Sequence, residues 1–161
     1  MAQADRVVPL YALRPGAARD LPEIAEIEAE VFPEPLALRD LERIWAAPGT
    51  RYVVAEGGRA VCAYFGFQVL GPVAHVVSNA THPAHRRHGL ATRLLREGER
   101  VAAEAGARWF LGEVRESNAA QMRLLRRMGY REVGLCRSFF GNGESARVVL
   151  RFFDEPVPRP D

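Results

Sequence analysis

The residues best suited to chemistry lie in one short segment, residues 81–92, which reads Thr-His-Pro-Ala-His-Arg-Arg-His-Gly-Leu-Ala-Thr. A β-like stretch ends here and a long helical pattern begins, so unpaired backbone N–H groups and the helix dipole favour a phosphorylated ligand. Gly89 and Ala91 leave room for a phosphate to approach, and Arg86 and Arg87 can add charge-assisted hydrogen bonds. The same pattern also fits an ordinary helix start with a solvated basic cluster.

A carboxylate in the following strand pattern is the second group that could act on a substrate. Alternation along residues 109–115 places Leu111 and Glu113 on one face of that strand. Near the end of the strand, Glu113 can meet a substrate. The alternative is an ion pair with an arginine such as Arg115 or Arg137.

Four histidines, His75, His82, His85 and His88, raise the question of a metal site. Their spacing extends over a strand and a turn and includes no supporting carboxylate, so we expect no metal. His75 is either an auxiliary base that faces the substrate or a hydrogen-bonded histidine of the sheet.

Periodicity and turn residues predict the elements that position these groups, in the order βααβββαβαββ. We expect a single α/β domain (an α+β mixed sheet) over residues 1–161, with a central mixed sheet, helices on both faces, and ends 1–6 and 154–161 that lack a fold of their own. Asp20 and Glu23 suggest a capping box for the first helix. The predicted strands are 7–14, 51–56, 59–70, 73–81, 109–114, 130–137 and 146–153, and the helices are 21–31, 38 to near 48, 89–105 and 119–128.

Composition limits the class of protein. The chain has 161 residues, 48% of them apolar, which suffices for one well-filled core. All 22 basic residues are arginine, which excludes Schiff-base and P-loop lysine chemistry, and a net charge of +2 gives no support for a nucleic-acid partner. The absence of an apolar leader or a run of about 20 apolar residues predicts a soluble, cytoplasmic protein with no membrane partner. Cys62 and Cys136 are expected to be reduced, buried strand residues.

Two motifs resemble a known family. The segment Arg86-x-x-Gly89-x-Ala91, with its strand before and its helix after, resembles the acetyl-CoA-binding motif of the GNAT superfamily of N-acetyltransferases. Gly112-Glu-Val-Arg-Glu-Ser-Asn-Ala-Ala120, followed by Met128-Gly-Tyr130, is similar to the signature of its RimI-like branch, whose members acetylate protein N-terminal amines. The resemblance extends from about Leu13 to Val149.

The resemblance implies a co-substrate, acetyl-CoA, and an amine acceptor, in a monomer or a homodimer. It assigns the role of general base to Glu113, acting directly or through water, and a contact with the CoA arm to Asn118, which is also a plausible helix cap. The backbone at Asn79, Ala80 and Thr81 would pair with pantetheine. The implied phosphate-binding residues are Arg86, Arg87, His88, Gly89, Leu90, Ala91 and Thr92.

The sequence also departs from the branch. Leu125 occupies the position where relatives carry a tyrosine that protonates the CoA sulfur, and Phe139 and Phe140 replace two tyrosines. Leu36 stands where relatives often have tryptophan. From the resemblance we expect an N-acetyltransferase that acts on a protein N-terminal α-amine. Because of these departures we keep two alternatives: acetylation of a small-molecule amine, and a non-catalytic acyl-CoA sensor. Tyr64 and Tyr130 could replace the missing hydroxyl, although both are expected in the core.

Overall fold

A computed structural model describes residues 10–157. The predicted strand start at residues 7–9 and the predicted unstructured ends 1–6 and 158–161 lie outside this range. Residues 154–157 follow the last strand and form no helix or strand of their own.

The elements follow the predicted order, and their bounds differ from the predictions by only a few residues. The strands are β1 Tyr11–Pro15, β2 Thr50–Gly57, β3 Ala60–Leu70, β4 Val73–Thr81, β5 Trp109–Arg115, β6 Arg131–Cys136 and β7 Ala146–Phe152. The helices are α1 Leu21–Val31, α2 Leu38–Ala46, α3 Leu90–Glu104 and α4 Ala119–Arg127.

All seven strands form one sheet, in the order β1-β2-β3-β4-β5-β7-β6. Within the described residues β4 and β5 are the one parallel pair, and the other neighbours are antiparallel. A parallel neighbour requires a crossover, which α3 supplies. The predicted mixed α/β class is confirmed.

Each face of the sheet carries its own hydrophobic core. On one face, α1 and α2 pack Ile24 and Leu41 against alternate residues of the central strands, such as Val54. On the other face, α3 and α4 cover a larger cluster that includes Phe65 and Phe110. Helices therefore lie on both faces, as the sequence predicts.

Two local predictions were wrong. Asp20 and Glu23 form no capping box: Asp20 is already helical in its backbone and accepts two hydrogen bonds of 2.8 Å from Arg14, and Glu23 accepts the N–H of Val61 at 2.8 Å. A nearly buried carboxylate is stabilised better by a guanidinium than by a helix N–H. Cys136 is exposed, because β6 is an edge strand without cover on either face.

Candidate active site

The site forms where two neighbouring strands separate. β4 and β5 pair from Val73 with Trp109 to His75 with Leu111, and no pairing follows beyond that point. The divergence opens a cleft of about 890 Å³ beyond the paired region, lined by both strands, by α1, α3 and α4 and by two loops. Ligands of open α/β sheets commonly bind in such a crevice at the carboxyl ends of the strands.

The turn at residues 82–89 has the backbone geometry of an anion site. Arg87 and Gly89 both have left-handed backbones, with φ of 65° and 70°. A Cβ added at Gly89 would meet nothing within 4 Å, so the positive φ, and not lack of space, explains the glycine. The helix α3 begins directly after it, and its first N–H groups have no partner within the helix.

Most of the predicted phosphate-binding residues line the cleft. They are Arg86, Arg87, Gly89, Leu90, Ala91 and Thr92. His88 does not line it: its ring lies 5.4 Å from that of Tyr11, and its Nδ1 is 3.1 Å from the carbonyl of His85. His88 therefore shapes the turn from outside the cleft.

The outer half of β4 presents a free backbone edge to the cleft. Asn79, Ala80 and Thr81 pair with β3 on one side, while β5 has already diverged on the other. All three residues line the cleft. On the opposite wall Asn118 accepts the N–H of Gln121 at 3.1 Å as the cap of α4, and the Gln121 side chain donates to Asn79 Oδ1 at 3.1 Å. Asn118 therefore lines the cleft and also caps the helix.

A β-bulge orients the middle of β4. Gly66 pairs with Ser78 and Phe67 with Val76, so Val77 has no partner on β3. Residues three apart in a regular strand point to opposite faces. The extra residue brings His75 and Ser78 to the same face, the one that α1 covers.

Glu113 pairs with a histidine. His75 Nε2 lies 2.9 Å from Glu113 Oε1 and 2.8 Å from Oε2, so this nitrogen donates and Nδ1 is left as the basic position of the neutral ring. The hydrogen bond to Glu113 raises the pKa of His75 above its usual value, although partial burial opposes this. Both side chains line the cleft. The ion pair of Glu113 with Arg115 or Arg137, the alternative to a catalytic role, is not found in residues 10–157.

Arg115 instead connects two loops that line the cleft. Its guanidinium donates to Glu34 at 2.9 Å and to Glu144 at 3.1 Å, and it stacks 3.9 Å from the ring centre of Phe140. Glu34 belongs to the α1–α2 loop and Glu144 to the β6–β7 loop. Local sequence patterns do not predict these contacts of Arg115, because 81 residues separate Glu34 from Arg115.

The structure also locates the residues that depart from the RimI-like pattern. Leu125 is buried in the core, and its neighbour Leu124 lines the cleft instead. Leu36, Phe139 and Phe140 form an apolar part of the cleft wall at the α1–α2 and β6–β7 loops.

The two tyrosines that could replace the missing hydroxyl are both buried. Tyr130 belongs to the core between the sheet and α3, and burial raises its pKa well above the usual value. Tyr64 is fully buried and lines the floor of the cleft. In the described part of the chain, no group of three or more histidine, cysteine or acidic side chains could hold a metal ion, and no helix could span a membrane.

Known proteins are similar to this chain in sequence or in fold. The N-alpha-acetyltransferase RimI of Mycobacterium tuberculosis is 33% identical over 144 residues, which cover 85% of this chain and 89% of that protein. The ribosomal-protein-S18-alanine N-acetyltransferase from Escherichia coli superposes with a TM-score of 0.82 at 21% identity, covering 91% of this chain and 96% of the other. Arabidopsis thaliana NAA60 in complex with acetyl-CoA superposes with a TM-score of 0.81 at 16% identity, covering 91% and 100%.

These matches confirm the resemblance that the two motifs carry. Residues 21–130, which include the turn at residues 82–89 and Glu113, match the acetyltransferase (GNAT) family. This protein therefore belongs to the acetyltransferase (GNAT) family.

Proposed function

We propose that this N-acetyltransferase transfers the acetyl group of acetyl-CoA to the N-terminal α-amine of a protein, with the His75–Glu113 pair accepting the proton of the amine. The observation that carries the proposal is the hydrogen bond between these two side chains inside the cleft, at the point where β4 and β5 separate. It places a base of raised pKa beside the free edge of β4.

The cleft suits an extended, phosphorylated co-substrate. The pyrophosphate of CoA would bind at the start of α3, where unpaired N–H groups, Arg86 and Arg87 supply donors and positive charge. The pantetheine arm would hydrogen-bond to the free edge of β4 at Asn79–Thr81, as an added strand does. This arrangement leads the thioester from the turn towards the bulge at Val77 and the His75–Glu113 pair.

The pair supports the chemistry of the transfer. The protonated amine first gives one proton to His75 Nδ1, or to Glu113 directly, and its freed lone pair then attacks the thioester carbonyl carbon. The C–S bond breaks, its electrons leave with the CoA sulfur as a thiolate, and the extra proton that the nitrogen still carries passes to this thiolate or to water. Backbone N–H groups of β4 beyond its pairing with β5 are suited to stabilise the developing oxyanion. Because a thiol has a reference pKa of about 8.5, the thiolate can leave without the acid that Leu125 fails to provide.

Two arguments favour an N-terminal amine. The Mycobacterium tuberculosis relative is an N-alpha-acetyltransferase, and the Escherichia coli structure is that of a ribosomal-protein-S18-alanine N-acetyltransferase. An α-amine also has a reference pKa of about 8, against about 10.4 for a lysine side chain, so it needs less help from a base. A single histidine–carboxylate pair is sufficient for that task.

The wall of the cleft at the α1–α2 and β6–β7 loops, where the acceptor would bind, favours a second candidate, a small-molecule amine. Phe139, Phe140 and Leu36 make this wall apolar, and Arg115 ties its two loops together. The hydrogen bonds of Arg115 to both loops would limit the space for an extended peptide.

Steady-state acetyl-CoA consumption tests the proposal. The panel contains peptides that begin with Ala, Ser or Met, the same peptides with a blocked N-terminus and an internal lysine, and small amines including polyamines and aminoglycosides. Saturable turnover on free N-termini alone is the expected result. Turnover on small amines alone would transfer the assignment to the second candidate, and tight acetyl-CoA binding without turnover on any amine would indicate a sensor.

A further inference from the structure

A carboxylate lies buried beside the site without a positively charged partner. Glu28 is 2% exposed and lies on the face of α1 that also buries Ile24 and Ile27. Removing a carboxylate from water is costly unless charges or hydrogen bonds compensate for it. An apolar side chain would cost less free energy to bury at this position, so a functional reason for the glutamate is needed.

Three uncharged donors surround the carboxylate. Oε1 accepts hydrogen bonds from the Tyr64 hydroxyl and, at 2.5 Å, from Ser78 Oγ, and Oε2 accepts the N–H of Leu36 at 3.1 Å. Glu28 makes no ion pair with any arginine or histidine of residues 10–157. The Tyr52 hydroxyl, buried in the same core, has no hydrogen-bond partner within residues 10–157.

The cluster presents hydrogen-bond acceptors to the cleft. An ionised carboxylate has no hydrogen to give, so it draws the single hydrogens of Tyr64 and Ser78 towards itself. The two hydroxyl oxygens, which lie 2.9 Å apart, then keep their lone pairs. Glu28, Tyr64 and Ser78 all line the cleft. A wall of lone pairs with one negative charge is complementary to a group that only donates, such as a primary ammonium ion.

The β-bulge places this cluster next to the reacting groups. Ser78 follows His75 by three residues on β4, which amounts to about 10 Å along a strand, and both side chains face α1. Val77, the bulged residue, lies between them and lines the cleft. An amine held by Ser78 therefore lies on the same wall of the cleft as the His75–Glu113 pair, and its proton reaches the pair through water or after a shift of the amine along β4.

We infer that Glu28, Ser78 and Tyr64 form an ammonium-binding subsite that captures the acceptor amine in its protonated form. The amine then passes one proton to the His75–Glu113 pair through water, its freed lone pair attacks the thioester carbonyl carbon, and the second proton leaves the nitrogen as the thiolate departs. This subsite rests on the proposed acetyl transfer to an amine, and it explains how an acceptor that is mostly protonated at neutral pH binds at all.

The test compares an amine with its neutral counterpart. Dissociation constants are measured by calorimetry on the CoA complex, which cannot react, for a short alanine-initiated peptide and for the same peptide with an α-hydroxyl in place of the α-amine. The wild type should prefer the amine, and Glu28→Gln should reduce that preference by about ten- to hundredfold, the effect of a hydrogen bond to a charged group. Equal losses for both peptides would show that Glu28 only supports the acceptor loop and would overturn the subsite.

Matched variants and probes keep the result interpretable. Glu30→Gln removes the same charge from the exposed face of α1 and should leave the preference unchanged. If Glu28→Gln fails to fold, Ser78→Ala removes one acceptor at the cleft wall and should reduce the preference by a smaller factor. Butylamine and butanol, titrated by NMR, repeat the comparison without a peptide. Binding of butylamine but not of the peptide would reject the protein acceptor and keep the subsite, whereas equal binding of butylamine and butanol would reject the subsite.

Discussion

Replacing Glu113 by glutamine tests the role of the His75–Glu113 pair most directly. The glutamine has the same shape and can still accept from His75 Nε2 through its carbonyl oxygen. It lacks the negative charge, however, and hydrogen bonds to charged groups are roughly twice as strong as neutral ones. The variant therefore removes the cause of the raised pKa of His75 while it keeps the packing around the pair.

The size of the effect follows from the place of Glu113 in the cleft. Loss of a positioned general base costs about 10²- to 10⁴-fold in rate. Glu113 contacts His75 and none of the residues of the phosphate-binding turn. We therefore expect kcat to fall by at least about a hundredfold, while KM for acetyl-CoA changes little.

The pH profile gives an independent readout. In the wild type the rate should rise with pH as His75 loses its proton, with a midpoint above the usual histidine pKa of 6.5, because Glu113 raises this pKa. Without the carboxylate charge, partial burial remains and lowers the pKa of His75. The acid limb of the residual activity of Glu113→Gln should therefore move to lower pH.

The assay is thiol release from acetyl-CoA with a saturating acceptor, between pH 5 and pH 9. Glu116→Gln, the same substitution at an exposed residue outside the cleft, serves as the control. His75→Gln should lose about as much rate as Glu113→Gln, and the double variant should be hardly worse than either, because residues that act as a unit are not additive. A nearly wild-type rate for Glu113→Gln, or an acid limb that stays in place, would refute the reasoning.

Two further predictions concern stability. Gly98→Ala places a Cβ 2.3 Å from the ring of Phe65 in the core, so it should destabilise by about 1–3 kcal/mol, although alanine normally stabilises a helix. Thermal unfolding should show this, whereas Gly134→Ala, with open space around its Cβ, should be nearly neutral, and an equal Tm for both variants would contradict the packing argument. Arg14→Met should cost about 1–3 kcal/mol at neutral pH by leaving Asp20 without its guanidinium partner. Arg14 lowers the pKa of Asp20 below 3.8, so the wild-type advantage, measured by urea unfolding, is fully present above that value and should disappear as pH falls through the lowered pKa; a deficit that persists in acid would refute the assignment.

Local patterns in the sequence were sufficient to predict the elements and the turn before α3. The apolar period of 3.6 in α3, the alternation in β5 and the glycine before α3 each depend on residues close together in the chain. The turn at residues 82–89 is built from its own backbone, so its position could be predicted without knowledge of the sheet, while phosphate binding by this turn stays a prediction. Glu113 could be assigned to a face of β5 for the same reason.

The partners of the chemical groups could not be predicted in this way. His75 and Glu113 are 38 residues apart and meet only because β4 and β5 pair in parallel up to His75. The bulge at Val77 reverses the direction of Ser78, and regular alternation predicts the wrong face for it. Glu28 follows Ile27 on the buried face of α1. A charged residue at such a position is visible in the sequence, but the sequence does not show which groups hydrogen-bond to it.

The sequence by itself thus determined the order of the elements and the family resemblance, because these depend on short-range periodicity and on contiguous motifs. The tertiary structure decided which nitrogen faces Glu113, what surrounds Glu28, and which arginine connects the α1–α2 and β6–β7 loops. Those contacts depend on strand register and on one extra residue in β4, and a shift of a single residue would turn every side chain of the strand to the other face.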